Sequence, residues 1–164
     1  MDTEIILRII IIGLGATLCM DIWAFVLKRF FRTPSLDYSL VGRWLLSMFD
    51  GQFRHQKITA TPTFSGEKIV GWAAHYIIGV IFATLPLFIS GTGWLSTPEL
   101  VTALLSGLLS LTAPFLIMQP ALGFGIAASK VPNPAKARVL SVCAHTIFGM
   151  GLFITAKALS EIWR

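Results

Sequence analysis

The chain has 164 residues, of which 55% are hydrophobic and 13% charged, with a mean hydropathy of +0.76. That balance excludes an ordinary soluble domain and places the chain in a bilayer. The net charge of +5 does not signal nucleic acid, because ten of the thirteen Lys and Arg fall in two loops, and Cys19 and Cys143 lie in apolar segments without metal-type spacing, which argues against a disulfide framework.

Four apolar segments, near residues 4–27, 67–90, 98–119 and 136–160, reach the roughly 20 helical residues that a hydrocarbon core requires. The expected fold is therefore an all-α membrane protein with four transmembrane helices in one integral membrane domain. The first segment opens on Asp2 and Glu4 where a signal peptide would be basic, and no small-x-small cleavage site follows, so it is read as a true span. The loop 28–66 comes next. Within it, Leu36, Leu40, Val41, Trp44, Leu45, Met48 and Phe49 recur at helical spacing opposite Ser39, Arg43, Ser47 and Asp50, after Thr33-Pro34 and before Gly51. This predicts an interfacial amphipathic helix over about 35–50, lying flat on the cytoplasmic membrane surface or merely tethering the loop or plugging the base of the bundle. Residues 53–66 alternate weakly in polarity and suggest a short extended segment or hairpin. Arg54, His55 and Lys57 could touch lipid head groups or form a solvated basic loop.

The third span starts at Thr97-Pro98-Glu99, and Pro114 and Pro120 predict a kink or break in it. The small-residue run 123–129 can pack closely on another helix or re-enter the bilayer edge. Asn133-Pro134 makes an N-cap and first-turn pair for the last span. Counting Lys and Arg by loop, residues 28–68 hold seven and residues 130–138 three, against Arg8, Lys157 and Arg164 on the other side. The positive-inside rule then puts both loops in the cytoplasm and both termini outside, with Trp94 and Trp163 at the outer interface and Trp23 and Trp72 at the inner one.

Three ionisable residues stand at one depth within these spans. Asp21 precedes Lys28 by seven residues, His75 follows Lys68 by seven and His145 follows Arg138 by seven, which sets each roughly 10 Å below the basic residue on its helix. An offset of 70 residues aligns Gly71-Trp72-Ala73-Ala74-His75-Tyr76-Ile77-Ile78-Gly79 with Ser141-Val142-Cys143-Ala144-His145-Thr146-Ile147-Phe148-Gly149. The two small-xxx-His-xxx-Gly stripes, Gly71/His75/Gly79 and Ser141/His145/Gly149, suggest parallel helical-hairpin repeats. Leu18-Cys19-Met20-Asp21 faintly echoes Leu116-Ile117-Met118-Gln119, which would set Asp21, His75, Gln119 and His145 around one pseudo-two-fold axis.

A carboxylate, a carboxamide and two imidazoles can relay protons or bind a small polar or cationic solute, and the leading expectation is transport or solute binding. Two histidines on separate helices could instead ligate haem in a redox module. A hydrogen-bonded layer that only fixes helix register, in a structural or assembly partner, produces the same pattern. An enzyme acting on lipid or an isoprenoid at the cytoplasmic face through His55 or Asp37 and the basic loop ranks last, because no metal spacing, HExxH, DDxxD or GxSxG motif occurs, and no catalytic residue is assigned. Besides the bilayer, a second copy or another membrane protein is the expected partner, and no nucleic acid is.

Met20-Asp21-Ile22-Trp23, Pro34-Ser35-Leu36-Asp37-Tyr38, Val41-Gly42-Arg43-Trp44, Gly51-Gln52-Phe53-Arg54-His55, Gly71-Trp72-Ala73-Ala74-His75-Tyr76, Met118-Gln119-Pro120-Ala121, Ala127-Ala128-Ser129 and His145 with Phe148-Gly149 run through the chain. Together these blocks resemble a bacterial inner-membrane family, the domain of unknown function 2938 (DUF2938). The resemblance implies a small multi-span protein of the bacterial inner membrane and implies no activity, ligand or catalytic residue.

Overall fold

The computed structural model describes residues 3–33 and 35–163. Asp2, Pro34 and Arg164, which entered the reading of charge and helix starts, lie outside the described residues. Among the described residues seven α-helices follow in order: α1 (Thr3–Phe31), α2 (Tyr38–Ser47), α3 (Glu67–Phe82), α4 (Leu85–Ser90), α5 (Leu100–Ser110), α6 (Gln119–Ala121) and α7 (Pro134–Ile162). The described residues contain no strand. Four stretches, Thr3–Phe31, Glu67–Ser90, Leu100–Ala121 and Pro134–Ile162, are long and apolar enough to cross a membrane.

Local chemistry explains where these stretches begin and break. Asn133 Oδ1 accepts the Lys136 backbone N–H at 3.1 Å, the N-cap bond that its position before Pro134 predicts. The interruption between α3 and α4 precedes Pro86, whose missing N–H forbids an unbroken ladder there. In the third span the same deficit at Pro114 opens a π-helical turn over Pro114–Met118 before α6.

The chain divides into two compact units. The first holds the described residues through Ser35, then Tyr76–Ser110, then those from Val142 onward. Its core includes Ile9, Ile12, Ala16, Trp94, Phe148 and Leu152. Trp94 is thus a core residue, 2% exposed. Its indole N–H donates to the Glu99 carbonyl at 3.3 Å, which satisfies the one polar atom that would otherwise seek water. Small residues let helices close on one another here: a Cβ at Gly107 would stand 2.8 Å from Gly149 Cα, and one at Gly151 2.7 Å from Ala16 Cα.

The second unit holds Leu36–His75 and Leu111–Ser141. Its helix α2 is capped by Asp37, whose side chain accepts from Ser39 N, and a 3-10 turn over Met48–Asp50 ends it at Gly51, φ 75°. Part of the polar side of α2 is buried: Arg43 and Ser47 are 7% and 1% exposed, and apolar Val41 on the same helix is 4% exposed. The physical reason is Glu67, whose two carboxylate oxygens accept from Arg43 Nε and Nη2 at 2.8 Å each. Arg43 Nη1 also donates to the carbonyls of Ile58 and Thr61, and the pairing with Glu67 pushes the guanidinium pKa up against the opposing effect of burial.

Residues 53–66 form neither strand nor hairpin. They dock as irregular chain around a 3-10 turn at Ile58–Ala60, with the N–H groups of His55 and Ile58 donating to the carbonyls of Ala121 and Leu122 at 2.8 and 3.1 Å. Orphan acceptors at the end of the third span are satisfied this way, and fully buried Ile58 and Leu122 pack in the same region.

Candidate functional site

Two of the four residues predicted to share a polar layer, Asp21 and His145, belong to the first unit. Asp21 projects from α1, a helix otherwise apolar for several turns, and is half-buried. The phenol of Tyr76 donates to Asp21 Oδ2 at 2.8 Å and orients the carboxylate. On α7, His145 Nδ1 lies 2.7 Å from Ser110 Oγ, and that hydroxyl also lies 2.7 Å from the Gly107 carbonyl. A carbonyl only accepts, so the single serine proton goes to Gly107 and the imidazole Nδ1–H donates to Ser110. This assignment of the tautomer makes Nε2 the basic nitrogen of His145.

The other two, His75 and Gln119, belong to the second unit. His75 stacks on Tyr38 with ring centroids 4.1 Å apart and an interplanar angle of 25°, and meets Trp72 edge-on at 5.9 Å. Gln119 follows the π turn and is 8% exposed, and its Oε1 finds no partner among the described residues. A buried acceptor of this kind is rare enough to call for a ligand or a water.

The small residues of the two stripes pack in different ways. Gly71 lies against the Tyr38 carbonyl and Gly42, Gly79 against the Thr17 hydroxyl, and Gly149 against the Ala103 carbonyl and Leu104. Ser141 is half-buried. Pro114 and Pro120 flank the π turn, both half-buried. Among the described residues no three His, Cys, Asp or Glu side chains gather to hold a metal ion.

Sequence reasoning did not single out Tyr76, Ser110, Tyr38 or the Arg43–Glu67 pair, because each becomes informative only through a partner distant in the chain. It also did not find the backbone of residues 123–129. Gly123 and Gly125 have φ of 86° and 76°, and Ala127 and Ala128 are held in the left-handed region at 47° and 57°. Left-handed alanine costs about 1–2 kcal/mol per residue. The Arg138 guanidinium braces this turn, its Nε donating to the Ala127 carbonyl at 2.8 Å.

No curated protein and no solved structure matches the chain. Residues 10–159 match the family described as Protein of unknown function (DUF2938). That match takes in the four apolar helices, the α2 region and both candidate histidines, and the chain belongs to this family.

Proposed function

We propose that this membrane protein binds a small polar or cationic solute among its apolar helices and carries it across the bilayer, with Asp21 as charge centre and His145 as proton-responsive partner. The observation that carries this reading is the Asp21 carboxylate, set in the apolar helix α1 and oriented by the Tyr76 hydroxyl at 2.8 Å. A carboxylate is costly at membrane depth and is found there chiefly where ions, protons or substrates pass. His145, held at Nδ1 by the Ser110 hydroxyl, supplies an imidazole, the side chain best suited to passing a proton. The bacterial inner membrane, with both basic loops in the cytoplasm, is the compartment consistent with the charge asymmetry. A chain of this length completes a pathway as a homodimer.

The test is flux in proteoliposomes. An entrapped pH-sensitive dye reports proton movement under imposed potassium or choline gradients. Wild-type protein is expected to pass protons or cation above empty vesicles, and Asp21→Asn to abolish that flux while remaining folded. Equal flux through wild type and Asp21→Asn would sink the proposal.

A further inference from the structure

The second unit contains an open cleft of about 520 Å3, built where the segment 54–56 meets the turn after the third span. Arg54, His55 and Gln56 line it from the first segment, and Gly123, Ser129 and Lys130 from the second. All its lining residues are neutral or cationic, so the cleft presents positive charge to whatever enters. Arg54 and Lys130 are exposed. His55 is the opposite, only 6% exposed, with Nδ1 set 3.0 Å from the Thr61 hydroxyl. Its Nε2 finds no partner among the described residues, an orphaned buried polar atom in the lining of a cationic cleft. The Thr61 hydroxyl can either donate to Nδ1 or accept from it, and in the tautomer with Thr61 donating, or in the protonated ring, Nε2–H is the donor for an anionic oxygen.

The backbone around the cleft is fixed rather than loose. A Cβ at Gly123 would collide with the Gln56 carbonyl, so the two segments approach as closely as backbone allows. Ile126 and Phe53 stand exposed beside the charged residues, Ile126 in the lining itself and Phe53 next to Arg54 in sequence.

We propose that this cleft binds a phosphate group, with Arg54 and Lys130 as charged ligands and His55 as a buried hydrogen-bond donor. A guanidinium matches two phosphate oxygens at once, an ammonium adds a point charge, and an imidazole N–H takes a further oxygen. The same chemistry serves a lipid head group or a soluble phosphate. The exposed Phe53 and Ile126 favour the lipid, whose chains would cover them. This site is separate from Asp21 and does not depend on the transport reading.

Full-length protein in zwitterionic nanodiscs is the reference state. Thermal stability is read after adding phosphatidic acid to the bilayer, and separately after adding inorganic phosphate to the buffer. The expected result is stabilisation by phosphatidic acid, with an apparent affinity roughly tenfold weaker in Arg54→Gln and again in Lys130→Gln. Stabilisation by inorganic phosphate alone, lost in the same variants, would support the site and assign it a soluble ligand. Lys28→Gln and Arg29→Gln remove equal charge elsewhere. If they weaken binding as much as the cleft variants do, or if neither phosphate source stabilises the wild type, the proposal is overturned.

Discussion

Asp21 depends on its neighbour as much as on its own charge. Removing the Tyr76 hydroxyl leaves the carboxylate one hydrogen bond short, and a hydrogen bond to a charged group contributes roughly 1.5–3 kcal/mol. Tyr76→Phe is therefore expected to lower thermal stability in detergent and reduce any Asp21-dependent flux, whereas an unchanged melting temperature would show that water replaces the phenol. His55 carries a pH prediction. Burial lowers its pKa below the ordinary 6.5, so the unfolded chain takes up the proton first. Its contribution to stability is complete above about pH 6.5 and is lost as pH falls through the lower folded value. Melting temperature should drop as pH falls below about 6.5 and level off below the folded value, and His55→Gln should flatten the drop. At this scale the sequence revealed Asp21, His75 and His145, because ionisable groups stand out against leucine and isoleucine. It hid Arg43, because a helical wheel sorts residues by polarity and cannot know that Glu67, 24 positions later, takes the guanidinium.

Among the elements, α2 shows most plainly what packing adds to pattern. A helix ending before Gly51 was legible from periodicity, but the burial of Arg43 was not, since its partner Glu67 lies outside the helix. Glu67→Gln leaves the Arg43 charge buried with a neutral partner and is expected to cost about 3 kcal/mol, read as a large fall in melting temperature. Arg43→Lys should also lower stability, because an ammonium cannot make the two parallel bonds. The crossing of α2 on α3 rests on glycine at both contact points. A Cβ at Gly42 would overlap the Glu67 carbonyl, and one at Gly71 the Tyr38 carbonyl. Gly71→Ala should therefore destabilise the protein by about 1–3 kcal/mol, measurable by denaturant or thermal unfolding. The π turn after Pro114 illustrates the converse, an irregularity announced by a single proline.

Across the whole molecule, the four apolar helices were readable because runs of about 20 hydrophobic residues have few soluble explanations. Large apolar side chains lie exposed along them, among them Ile69, Ile81, Phe88, Val101, Ile117 and Ile154. Such surface requires lipid or detergent, so alkaline carbonate should leave the protein in the membrane pellet, and recovery in the supernatant would contradict a spanning arrangement. Of the cleft, only the side at Arg54 and His55 was legible, as a candidate head-group contact. Lys130 is separated from it by two whole spans, and the shape depends on backbone angles that composition does not encode.

The turn at Ala127–Ala128 has a genetic consequence. Alanine there is less comfortable than glycine, and the contact from Arg138 offsets part of the difference. Losing that contact through Arg138→Gln should weaken the protein, and Ala127→Gly in the same chain should rescue it. Each substitution would then have an effect that depends on the other. The left-handed turn thereby ties residue 138 to residue 127 as a suppressor pair, in which arginine is required only while alanine holds the turn.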